Sequence, residues 1–203
     1  MKMEIEITKE NIDTAKKIYS QLKKWNLANN TLTEYFNENK LNDSEKIVLI
    51  KVILIDSLYK TNLKDQISVA KHIFEINSLD NFLEKGDVNV VEKVAKWNDK
   101  NLMSFASKFC HFHNKKAYPI YDSYVCVALK KLLGWKDNRD YNDFEHAINN
   151  FRDKIKGEKV SLEDIDKFLW LFGLREKLRK GKTDINREIN TFYNQNKEMF
   201  DSL

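Results

Sequence analysis

Proline and glycine interrupt regular backbone more often than any other residues, and here they are scarce: 203 residues contain one proline and five glycines. A strand-rich fold would need turn residues every 8–12 positions or so, and this chain has no supply of them. Long helical runs separated by Asn, Asp and Ser punctuation remain. The expected class is therefore all-α, with about ten helices. A hydrophobic fraction of 42% supports a sizeable buried core and argues against disorder. The length fits one domain, residues 1–203, or two small lobes sharing a core. In this reading the N- and C-terminal segments share one lobe and residues 43–135 form the central part.

A net charge of +4 permits a nucleic-acid partner without requiring one. Two cysteines make no disulfide framework, so a reducing, cytoplasmic setting is expected. No apolar run approaches the roughly 18 residues of a membrane span, and no leader-like segment is present, so no membrane role is expected.

Apolar spacing and cap residues divide the chain. Residues 3–7 read as a short arm or strand. Thr8 opens a helix to about Trp25 with Ile12, Ala15, Ile18, Tyr19 and Leu22 on one face, and Asn29-Asn30-Thr31 breaks it before a shorter helix with Leu32, Tyr35 and Phe36. Asp43-Ser44-Glu45 is a cap signal before a helix through residues 47–59, apolar nearly all round, in which Lys51 either snorkels or sits at a site. Residues 63–76 turn Ile67, Ala70, Ile73 and Phe74 inward. Ser78 and Asp80 restart the chain, Gly86 punctuates, and a helix follows from about Val88 to Lys96. After a turn at Trp97-Asn98-Asp99, Asn98 or Asp99 caps the helix ending at His113. A loop spans Asn114 to Pro119, and a helix runs from Ser123 to Leu133, closed by Gly134. Asp140 precedes a helix with Phe144, Ala147, Ile148 and Phe151 inward, ended by Gly157. Ser161-Leu162-Glu163-Asp164 resembles a capping box before a helix that terminates at Gly173. Arg175 to Lys182 reads as a basic connector, and a last helix runs from about Asp184 to Met199 with Ile185, Ile189, Phe192 and Tyr193.

The stretch from Phe109 to Leu129 concentrates the chemistry-bearing residues. It holds the only proline, Pro119, with Cys110, Cys126, His111 and His113. Asp122 stands at a helix start after the extended Pro119-Ile120-Tyr121. By position it is an N-cap for the amide of Tyr124 or Val125, worth about 1 kcal/mol. If it also faces a cavity, its carboxylate can stabilise positive charge or orient a water. Lys108 shares a face with Phe105 and Phe112. It either reaches solvent or is desolvated, and desolvation would make it a nucleophile able to form a Schiff base. His-x-His on a helix points its rings roughly 200° apart, and no CxxC or HxxxH spacing occurs. No metal site or cofactor is expected. Lys115, Lys116, Lys130 and Lys131 flank Asp122, with Tyr118, Tyr121 and Tyr124 interleaved for stacking on bases or sugars.

The order helix, loop, Tyr-Pro-Ile-Tyr-Asp, helix resembles the centre of the helix-hairpin-helix DNA glycosylase superfamily, over roughly Lys96 to Leu133. There a proline-containing loop leads to a catalytic aspartate at the start of the next helix. Pro119, Ile120, Tyr121 and Asp122 match with one extra residue. In the 8-oxoguanine glycosylase branch a catalytic lysine precedes that loop, which implies Lys108. Its spacing of 14 residues from Asp122 is shorter than that branch leads one to expect by about a helical turn plus one residue. The family hairpin normally reads Leu-Pro-Gly-Val-Gly, whereas residues 96–105 here have neither glycine nor proline.

The resemblance implies an all-α enzyme in two lobes that excises a damaged or modified base from double- or single-stranded DNA, in repair or phage defence. A flipped nucleotide would be held by Tyr118, Tyr121, Tyr124, His111, Lys115, Lys116 and Lys130. Asp122 would stabilise the developing sugar cation. Lys108 would attack C1′, adding lyase activity, or water would attack instead. Two other readings stay open. One is a non-catalytic module descended from glycosylases that binds nucleic acid or protein. The other is a ribonuclease of the HEPN class, since Arg139 and His146 resemble its Arg-x4–6-His signature.

Overall fold

The computed structural model describes residues 7–155, 160–182 and 187–203. Among them are twelve helices and one two-stranded ribbon, so the class is all-α. The expected arm before Ile7, the stop at Gly157 and the helix start at Asp184-Ile185 lie outside the described residues. Contacts group the chain into two units, Ala28–Tyr121 on one side and Met1–Leu27 with Asp122–Leu203 on the other.

The first unit begins within α2 (Lys23–Glu38), which the chain uses to pass from one unit to the other. Then come α3 (Glu45–Tyr59), α4 (Gln66–Phe74), α5 (Leu79–Lys85) and α6 (Asn89–Ala95). Ser44 Oγ accepts the Ile47 amide at 3.3 Å to open α3, as the cap signal implied. On α4 the buried residues are Val69, Ala70 and Ile73, whereas Ile67 and Phe74 face outward at 66% and 41% exposure. Ala70 and Ile73 are thus inward as predicted, and packing against α3 puts Val69 there in place of Ile67 and Phe74. Residues 96–101 form an antiparallel ribbon, β1 (Lys96–Trp97) and β2 (Lys100–Asn101), with Asn98 in the left-handed region at φ 52. Asn98 is thus spent on the turn, and it is Asn101 Oδ1 that takes the Met103 amide at 3.1 Å as α7 (Met103–His113) begins.

In the second unit α1 (Lys9–Gln21) stops at Leu22, not at Asn29-Asn30. Leu22 is fully buried at φ −81, ψ 78, and the Glu188 carboxylate accepts the amides of Lys24 (2.9 Å) and Trp25 (3.3 Å). A cap supplied from the far end of the sequence starts α2 there. Asn29 stays helical, and Thr33 Oγ1 donates to its carbonyl at 2.7 Å.

Beyond residue 121 lie α8 (Ser123–Leu133), α9 (Tyr141–Lys154), α10 (Leu162–Arg179), α11 (Arg187–Gln195) and α12 (Lys197–Asp201). The predicted last helix is broken at Asn196. Gly134 closes α8 with φ 71, and Phe144, Ala147, Ile148 and Phe151 are the buried face of α9. Ser161 caps α10 through the Asp164 amide at 3.1 Å.

Gly173 does not terminate α10, which runs on to Arg179. It is there because α8 crosses at that point: a Cβ on Gly173 would stand 1.9 Å from the Tyr124 carbonyl oxygen. Nor is Arg175 part of a connector. Its guanidinium is buried and donates to the carbonyls of Phe200 (3.2 Å) and Leu203 (2.9 Å), fastening the chain end to α10. The clash in Gly173→Ala falls on backbone, so that variant should lose about 3 kcal/mol or more of stability, although alanine is the better helix former. Chemical denaturation followed by circular dichroism measures this, and a variant as stable as the wild type would mean that the α8–α10 crossing is not this close.

Candidate functional site

Helix α7 packs against α3 and α6 and is buried on nearly every face, yet Ser107, Lys108 and His111 lie inside it at 0%, 2% and 3% exposure. With Ser104 they sit at helical spacing along one stripe. Each polar group has a protein partner. The Lys108 ammonium folds back one turn, 3.0 Å from the Ser104 carbonyl and 2.8 Å from its hydroxyl, and lies 5.6 Å from the Tyr59 ring centre. His111 Nδ1 is 2.8 Å from the Tyr118 carbonyl, so that nitrogen carries the proton and donates. Ser107 Oγ accepts the Tyr121 amide at 3.0 Å. Its own proton has the Ser104 carbonyl at 3.3 Å and the Tyr121 carbonyl at 3.5 Å within reach.

The extended segment from Tyr118 to Tyr121 is therefore stitched to α7 at both ends. This revises two expected substrate contacts. Tyr118 is completely buried, with its hydroxyl donating to the carbonyls of Phe82 (3.0 Å) and Asp87 (3.3 Å), so its ring cannot stack on a base. His111 is equally enclosed and serves as a tie. Lys115 donates to Thr33 Oγ1 at 2.8 Å, whereas Lys116 is exposed and Tyr121 is partly exposed.

A second polar group in the same unit went largely unread in the sequence. Lys51, with no exposed surface, places its ammonium 3.1 Å from the Leu41 carbonyl, 3.0 Å from Asn42 Oδ1 and 3.5 Å from His113 Nε2. Asn42 Nδ2 donates to Asp80 Oδ1 at 2.5 Å and lies 3.3 Å from His113 Nε2. Burial brings the Lys51 amine down to about 8, against a smaller upward pull from Asp80 and Asp43. Burial, and then the charge on Lys51, hold His113 well below its ordinary range. Neutral His113 must present Nε2 as the acceptor to two donors, which puts its proton on Nδ1. All three ammonium protons of Lys51 can be satisfied here, which is the geometry of a buried tie. The one sequence signal was Lys51 itself, a lone lysine in an apolar helix.

In the other unit Asp122 is the N-cap of α8, its Oδ1 accepting the Tyr124 amide at 2.7 Å, and it is partly exposed. Beside it Lys177 of α10 donates to Ser123 Oγ at 2.8 Å and lies 4.0 Å over the Tyr124 ring, which meets Trp170 edge-on at 6.3 Å. Trp170 stacks in turn on Trp25 at 5.0 Å. Lys177 was read as part of a connector, so its place at this helix start was not visible before folding. Lys130 is exposed in the last turn of α8. Arg139 occupies the left-handed region at φ 58 ahead of α9, and His146 is exposed on that helix. Among the described residues no three His, Cys, Asp or Glu side chains gather to hold a metal, and burial pushes the Cys110 thiol up. No helix among them is long and apolar enough to cross a membrane.

The His113 geometry fixes a sign. Its folded pKa is depressed, so below about 6.5 the unfolded chain takes up a proton that the folded one refuses, and stability falls as pH drops through that value. His113→Gln should retain an acceptor for Lys51 yet lose this component, at most about 1.4 kcal/mol per pH unit. Urea titrations of both proteins at pH 7 and 5.5 measure it, and parallel losses would show that His113 is not the group responsible.

Two comparisons place the chain among known proteins. The family HI_0787_N, described as an N-terminal domain, matches residues 7–117. An uncharacterized protein of Haemophilus influenzae is 33% identical over an alignment covering 62% of this chain and 66% of the relative, so the chain spans just under two thirds of that protein's length. No solved structure matches. With more than half of its residues matched, the chain belongs to the HI_0787_N N-terminal domain family.

Proposed function

We propose that this protein is a DNA glycosylase that releases a damaged or modified base, with Asp122 as the carboxylate that stabilises the sugar cation. The observation that carries the reading is the placement of Asp122. It caps α8 while remaining partly exposed, at the end of an extended segment held to α7. A glycosidic bond breaks with positive charge developing on the sugar ring, and a fixed carboxylate at that point lowers the barrier without reorganising. Other residues of the same unit fit a polyanionic substrate with aromatic bases. Lys177 lies against Ser123 and Tyr124, Lys130 is exposed, and Tyr124 is partly exposed.

Lys108 bears on which version of the reaction applies. A Schiff base requires an amine that the sugar C1′ can approach, and the Lys108 ammonium is enclosed and bonded to Ser104. Water is therefore the better nucleophile, with Asp122 orienting it, and the enzyme is monofunctional.

A panel of duplex and single-stranded oligonucleotides carrying oxidised, deaminated, alkylated and hypermodified bases tests the reading. Base release should fall about 100-fold or more in Asp122→Asn with the fold intact. Borohydride should trap no covalent adduct. Wild-type release by the Asn variant would remove the proposed role of Asp122, and an adduct lost in Lys108→Met would restore the lyase.

A second reading, a non-catalytic binding module, has one observation in its favour. The segment at the position of the glycosylase hairpin is a β-ribbon with Lys96 and Lys100 outward, and no glycine there lets backbone amides approach a phosphate closely. Salt-dependent DNA binding without release of any base would favour that alternative.

A further inference from the structure

We propose that the outer side of α3 is a dimer interface, covered by α3 of a second copy of this chain running antiparallel to it. The helix carries two rows of side chains. Val48, Lys51, Val52 and Ile55 are buried, on the side where α3 packs against α4 and α7. Opposite them stand Lys46, Ile50, Ile53 and Ser57, whose spacings of four, three and four residues align them along the helix. Ile53 is 38% exposed, and Leu49, Ile50 and Leu54 around it are only half-buried. Gln66 at the start of α4 donates to Asp56, one turn after Ile53, at 2.6 Å, so the exposed Ile67 beside it extends the same apolar surface. A solvated helix face is normally polar. A helix that is apolar nearly all round is one that is covered on both sides.

The order of charges along this row selects the occupant. Extended by three residues at each end, the row reads Asp43, Lys46, Ile50, Ile53, Ser57, Lys60, and its spacing is the same from either end. A two-fold axis midway between Ile50 and Ile53 therefore makes the row complementary to itself. It sets Ile50 against Ile53 of the second copy, Leu49 towards Leu54, and Lys46 over the Ser57 hydroxyl. Asp43 comes opposite Lys60, and both are exposed, one just before α3 and one at its C-terminal cap. Acid thus meets base at both ends of a contact about 22 Å long. Each helix also lays its negative end beside the positive end of the other. A parallel copy would oppose Asp43 to Asp43 and Lys60 to Lys60, and a lipid surface would gain nothing from this order of charges. One helix with the flank of another makes a small interface, so the dimer forms in the micromolar range.

Sedimentation from low to high micromolar concentration tests this, and its outcome does not depend on the base-excision reading. The mass should rise from one chain to two. Ile53→Lys places a good helix former at an exposed position, so it should keep the wild-type circular dichroism and weaken dimerisation about 100-fold. Asp43→Lys and Lys60→Asp should each weaken it about tenfold. Residue 60 has φ 51, a conformation that aspartate adopts readily, so the second change is not strained. An equimolar mixture of these two variants should form a heterodimer of about wild-type strength, because both charge pairs are restored across the interface. Protein that stays monomeric throughout overturns the proposal, whatever lipid or other protein it binds through this face. A dimer unaffected by Ile53→Lys also overturns it, and so does a mixture no stronger than either charge variant alone.

Discussion

A helix buried on nearly all sides has no water to satisfy its polar groups, and α7 carries three of them. Ser107, Lys108 and His111 must each find a protein partner or cost the fold roughly 1–3 kcal/mol apiece. Two of the three partners are backbone groups of the segment that leads to Asp122. The need to satisfy α7 therefore dictates the course of the chain from Tyr118 to Tyr121. Tyr118 adds to the hold from outside the helix by donating to two carbonyls near α5. His111 and Tyr118, read from the sequence as substrate contacts, are instead what keeps the segment in place.

The same economy appears in the Lys51 group. An ammonium without exposed surface is tolerable because a carbonyl, an amide oxygen and a neutral imidazole surround it, and because Asp80 orients Asn42. This group ties the turn after α2 to α3 and α7. In the other unit Gly173 performs the complementary service by absence. Leaving out one Cβ lets α8 cross α10 at backbone distance, and Lys177 reaches the start of α8 from the adjoining turn of α10.

Membership in the HI_0787_N N-terminal domain family covers residues 7–117 and stops just before the Pro119–Asp122 segment. The features that support base excision lie at and after that limit, in Asp122, Tyr124, Lys130 and Lys177. The ties that hold the approach, Ser107 and His111, lie within it.

What the sequence determined by itself was the class and most of the local signals. Scarce glycine and proline left helices as the only economical use of the chain, and Ser44, Asp122, Asp140, Ser161 and Gly134 act at helix ends as their side chains or their lack of one dictate. Such signals are legible because they act within a turn of the residue that carries them. Tertiary structure alone decided the rest. It started α2 with a carboxylate from Glu188, carried α10 through Gly173, turned Ile67 and Phe74 outward, and buried Arg175 against the chain end. It also buried His111 and Tyr118, which hold the segment before Asp122 to its own unit. In every case the deciding partner is distant in sequence, and no periodicity within a single helix records where that partner will be.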